Sequence, residues 1–153
     1  MSHTRFLTIP ALASALSLAA FSGPPPVRAQ GADEHLVISI ESAADTLRAG
    51  GSSEILLRFT PDKGFHVNAV PPVGFSLDPV SAATPGDSVI VPRDSSTGYM
   101  DLRRPVRLPF IMAKSLPAGP RQLRGTVTFY YCSDEEGWCR RVKRPFSLPL
   151  FIR

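Results

Sequence analysis

Short apolar runs with a two-residue alternation, each cut off by proline or glycine, restrict this chain to β-structure. His35-Leu36-Val37-Ile38-Ser39-Ile40 alternates as a half-buried strand does. Glu54-Ile55-Leu56-Leu57-Arg58-Phe59-Thr60 is a second strand, ended by the turn text Pro61-Asp62-Lys63-Gly64. A third runs from Gly64 to Val70 and stops at Pro71-Pro72. Phe75 to Leu77 and Ser88 to Val91 are shorter candidates. Val106 to Met112 and Leu123 to Tyr131 are stronger ones, and Phe146 to Ile152 closes the chain. Pro109 and Pro149 lie inside two of these runs, which places those strands at an edge or a bulge. The single helix candidate is Ile40 to Ala49, with Ser42, Asp45 and alanine-rich text. Many short strands between Pro/Gly turns favour an all-β sandwich of immunoglobulin-like type over alternating strands and helices.

The compartment decides what the cysteines mean. After Arg5, an apolar run extends from Ile9 to Phe21, too short for the roughly 20 apolar residues of a membrane span. Val27-Arg28-Ala29 then supplies small or apolar residues at the −3 and −1 positions of a cleavage site. Residues 1–29 therefore read as a secretory signal peptide and 30–153 as one domain. The expectation is a periplasmic or secreted protein with no transmembrane segment in the mature chain, in a compartment where disulfides persist.

Charge is divided along the chain. From Gln30 to Leu102 four Lys and Arg stand against ten Asp and Glu, net −6. From Arg103 to Arg153 eleven stand against three, net +8. The basic half is spread through strand-like and turn-like text, which fits a solvated face or a surface for an acidic partner better than a nucleic-acid site. No phosphate-binding glycine loop and no hydrolase motif is present.

Cys132 and Cys139 are the only cysteines, in Tyr130-Tyr131-Cys132-Ser133-Asp134-Glu135-Glu136-Gly137-Trp138-Cys139. A strand ending at Cys132, a turn near Gly137 and a return strand starting near Cys139 bring the two Cβ atoms into disulfide range. Two readings stay open, a redox-active pair and a structural staple. Arg140 and Arg141 favour a thiolate at Cys139, and Asp134, Glu135 and Glu136 oppose one. Trp138 either shields the sulfurs or offers a partner an aromatic surface. His66 and Asn68 share one face of their strand, either hydrogen-bonded across the sheet or to the Pro71-Pro72 turn, or forming a polar patch that moves protons beside the cysteines. Alternation requires at least one of Tyr130 and Tyr131 to pack inward. Two cysteines without a nearby histidine make a poor zinc site, so no metal and no cofactor is expected.

Pro61-Asp62-Lys63-Gly64-Phe65-His66-Val67-Asn68-Ala69-Val70-Pro71-Pro72, followed by Val127-Thr128-Phe129-Tyr130-Tyr131-Cys132 and Cys139, resembles the N-terminal periplasmic domain of the thiol:disulfide interchange protein DsbD. The resemblance extends over about residues 35–152. It implies an immunoglobulin-like sandwich outside the cytoplasmic membrane. In redox-active members the cysteine pair passes electrons from a membrane-embedded domain to thioredoxin-like proteins, and Cys132 and Cys139 match that pair. One more residue separates the two cysteines here than in the usual pair, and Arg140-Arg141 stands where relatives commonly carry proline. The implied function is extracytoplasmic thiol–disulfide exchange at Cys132 and Cys139, with His66, Asn68, Tyr131, Trp138 and Arg140 in support. The implied partners are a thioredoxin-like exported protein, a separately encoded membrane electron-transfer protein, or both. The alternative is a redox-inert binding or structural domain whose disulfide pins a hairpin.

Overall fold

The computed structural model describes residues 29–153. The expected leader lies outside the described residues, apart from Ala29. Among the described residues ten strands form two sheets: β1 (Ala29–Asp33), β2 (Leu36–Ser42), β3 (Thr46–Leu47), β4 (Ser52–Pro61), β5 (Phe65–Val67), β6 (Gly74–Leu77), β7 (Ala83–Pro85), β8 (Val106–Met112), β9 (Gly119–Ser133) and β10 (Cys139–Ile152). The first sheet has the order β1-β2-β4-β8-β7, and the second β3-β10-β9-β5, with β6 also paired to β9. The fold is the expected all-β sandwich.

Alternation builds its core. Leu36, Ile38 and Ile40 of β2, Ile55, Leu57 and Phe59 of β4, and Val106, Leu108, Phe110 and Met112 of β8 turn inward from the first sheet. Leu123, Val127, Phe129 and Tyr131 of β9 meet them, with Val142, Phe146, Leu148, Leu150 and Ile152 of β10. Residues of the same parity on each strand share a face, so one face of each sheet is apolar and the other wet. Phe59 and Phe129 join the two layers edge to face, with centroids 4.9 Å apart.

The helix expected over 40–49 does not form. β2 runs through Ser42, the Ala43 N–H donates to the Glu54 carbonyl, and β3 joins β10 in parallel. The segment carries the chain from one sheet to the other, and ladder partners satisfy its backbone before a helical turn can. Ser88 to Val91 makes only an isolated bridge, Ile90 to Arg107, because Gly86 and Pro92 confine it to a short pass beside β8.

Pro109 does not mark the expected edge, because β8 lies between β4 and β7. Met112 N–H donates to Gly51 C=O, so residues of even number on β8 exchange hydrogen bonds with β4 and Pro109 faces the other way. There the Pro109 carbonyl still accepts from Gly86 N–H, at 2.7 Å. Pro71 and Pro72, the first in a cis bond with Val70, separate β5 from β6 so that one interrupted edge follows β9 twice.

Candidate functional site

The long hairpin of β9 and β10 holds the cysteines. Cys132 lies directly opposite Cys139 at its tip, with Cα atoms 4.1 Å apart, and the two are joined in a disulfide. Ser133 N–H donates to Trp138 C=O at 3.0 Å, so the neighbouring cysteines form a non-hydrogen-bonded pair, in which side chains approach most closely. Gly137 supplies the positive φ of +69° on which the turn depends. The Ser133 hydroxyl accepts from Glu136 N–H and fastens the tip.

On the other side of β9, His66 of β5 lies opposite Cys132. Opposed residues in a sheet point to the same face, so His66, Cys132 and Cys139 stand abreast across three strands. Cys132 is 3% exposed, whereas Cys139 is open to solvent. Asn68 Oδ1 lies 3.5 Å from Cys132 Sγ, a polar contact with a sulfur that has no hydrogen to donate. His66 Nδ1 lies 2.5 Å from Asp134 Oδ1, and the His66 ring stacks on Tyr99 with centroids 3.7 Å apart. Asp134 has no signal of its own in sequence, but two-residue alternation from Cys132 puts it on the face that His66 shares. Tyr99 gives no such signal, because a loop without periodicity carries it.

The remaining candidates turn away from the sulfurs. Tyr131 is fully buried, its hydroxyl without a hydrogen-bond partner among the described residues. Trp138 packs edge to face on Tyr131 and tilts against Phe65, with centroids 5.5 and 5.8 Å apart. Its indole N–H donates to the Glu136 carboxylate, and the Arg140 guanidinium sits 4.3 Å above its ring. Phe65 in turn stacks on His35 at 4.3 Å. This aromatic cluster closes the end of the sandwich beneath the hairpin tip, on the face opposite the disulfide.

The loop that presents Tyr99 is tied down at both ends. Asp94 Oδ1 accepts from Ser96 N–H, Ser96 Oγ and Thr97 N–H, and the Ser96 hydroxyl bond is the main reason its carboxyl is held below the usual range. Met100 N–H donates to Val67 C=O beside the site. Asp101, 7% exposed, binds Arg103 Nε at 2.8 Å and Arg104 Nε at 3.0 Å. The Arg103 hydrogen bond leads the effects that lower its carboxyl from 3.8 to about 2. Because the folded value is below the unfolded one, this interaction stabilises fully above about pH 4 and fades as pH falls towards 2. Asp101→Asn is expected to lower stability at pH 7, and its difference from wild type should shrink steeply below about pH 4 and vanish only below about pH 2 in an acid denaturation series. A difference that stays constant across that window would contradict the ion-pair assignment.

Among the described residues there is no cluster of three or more His, Cys, Asp or Glu able to hold a metal. No helix among them is long and apolar enough to cross a membrane. No family model and no curated protein matches the chain. One solved structure, the crystal structure of yeast GGA1_GAE domain-P21, is similar over 80% of this chain and 99% of that one. The identity is 15% and the TM-score 0.45, too slight a likeness to assign a fold family or a function.

Proposed function

We propose that the protein is an exported binding or structural domain of the DsbD N-terminal type, in which the Cys132–Cys139 disulfide staples the β9–β10 hairpin. The observation that carries this reading is the register. Fourteen residues of β10 align with β9, and the cysteines are the last opposed pair before the turn. Strand pairing alone therefore keeps the two sulfurs together. Such pre-positioning raises the effective concentration of one thiol at the other and favours the oxidised form. Burial of Cys132 protects one sulfur of the bond further. Native protein incubated with dithiothreitol and then trapped with a thiol reagent is expected to stay oxidised until it unfolds. Rapid trapping of both cysteines in folded protein would contradict the staple.

A second reading, thiol–disulfide exchange with a thioredoxin-like exported protein or a membrane electron-transfer protein, is favoured by the exposure of Cys139. In that reaction a partner thiolate attacks Cys139 Sγ and Cys132 leaves as a thiolate, taking its proton from the His66–Asp134 pair abreast of it. A second partner thiol then resolves the mixed disulfide, so that the partner ends as a disulfide and this domain as a dithiol. Asp134→Asn removes the carboxylate charge from that pair and would slow exchange if that reaction operates.

A further inference from the structure

β10 is bordered by β9 along its whole length, but on its outer side β3 covers only Phe151 and Ile152. No other described strand pairs with that outer edge. Residue parity shows which backbone groups face it. The Ser133–Trp138 hydrogen bond fixes the even-numbered residues of β10 as those that exchange bonds with β9, so odd-numbered residues turn their N–H and C=O outward. Phe151, an odd residue, accordingly donates to Asp45 C=O at 2.7 Å on the β3 side. Pro145 and Pro149 occupy odd positions too. Their missing N–H groups cost the β9 ladder nothing and blunt the outer edge against pairing. Between Cys139 and Lys143 no proline intervenes, and the outward donors and acceptors of Cys139, Arg141 and Lys143 stay in place.

We propose that the outer edge of β10 from Cys139 to Lys143 is a strand-addition site for an extended, acidic segment of a partner protein. Charge selects that occupant. Arg140, Arg141 and Lys143 are all exposed, and they place cations on both faces of the sheet along one stretch of edge. An incoming strand with Asp or Glu at matching positions gains opposed ion pairs beside its main-chain hydrogen bonds. A second copy of this chain would instead set arginines and lysines against each other, which disfavours edge-to-edge pairing. This site rests on the binding-module reading and gives it a place and a partner chemistry.

The probe is a peptide of about ten residues alternating Glu with Val and Thr, titrated into the full domain while backbone amides are followed by NMR. Saturable binding is expected, with new exchange protection at the Arg141 and Lys143 amides and affinity that falls as salt rises. Lys143→Pro removes one outward donor at a position of the same parity as Pro145, so the fold should survive and affinity should fall at least about tenfold. If that variant fails to fold, Arg141→Glu with Lys143→Glu keeps the backbone donors and should reduce binding by a similar factor. No binding, binding that Lys143→Pro leaves unchanged, or shifts that map away from β10 would overturn the site. Dimerisation by light scattering, with protection on this edge, would assign it to a second copy and also overturn the proposal. The titration is made on the oxidised domain, whereas the staple is tested by reduction and by the cysteine variants, so failure of the edge site is distinguishable from failure of the staple.

Discussion

Gly125→Ala is expected to destabilise the domain by about 3 kcal/mol or more, lowering its urea midpoint by about 2 M. Gly125 lies in the middle of β9, turned inward between Leu123 and Val127, with β10 on one side and β6 on the other. A Cβ built there would lie 2.3 Å from the Ser76 carbonyl oxygen and 2.8 Å from the Phe146 ring. Side-chain contacts of that kind are relieved by rotamer changes, but the carbonyl belongs to the backbone of a paired strand. β6 would have to leave β9, and Phe75 and Leu77 would then lose their packing against the core. The penalty combines overpacking with the loss of that edge, which sets it above the usual cost of a surface substitution. Chemical denaturation checks it, and a loss below about 1 kcal/mol would show that β6 can shift at little cost.

Replacing both Cys132 and Cys139 with alanine is expected to lower stability by about 2–3 kcal/mol, the loop-closure value for an eight-residue loop. For a domain of this size, that corresponds to a fall in melting temperature of about 10 °C. The double variant should still fold, because the two apolar sheet faces form a core that does not include the sulfurs. Loss of order should begin at the hairpin tip, where Trp138 and Phe65 close the end of the sandwich. Calorimetry measures the shift, and exchange of the Ser133 amide measures the fraying. An unchanged melting temperature would mean that the bond does not destabilise the unfolded chain relative to the folded one, and the staple would have no energetic role.

The strands that carry the core were legible because their alternation survives in the sequence. Val106 to Met112 is found as read, and the runs at Leu123–Tyr131 and Phe146–Ile152 extend towards the turn that joins them. What escaped depends on contacts between distant segments. Ile40 to Ala49 reads as a weak helix because its alanines favour one, yet pairing with β4 and β10 settles it as strand and crossover. β3 and β7 are too short to show a period, and each exists only because a longer neighbour offers it a ladder. The same holds at the site. The hairpin joining Cys132 to Cys139 follows from local text, and so does the inward turn of one of the two tyrosines. The row that aligns His66 with the disulfide, and the Asp134 that holds it, come from the register between β5 and β9, separated by more than sixty residues of chain.

The reduction potential of Cys132–Cys139 in the folded domain tests the central claim most directly, equilibrated in dithiothreitol and glutathione buffers and read by thiol trapping. A value below about −300 mV is expected, as for structural disulfides that resist the glutathione pool. A value between about −270 and −120 mV would place the pair among the exchange proteins and contradict the staple.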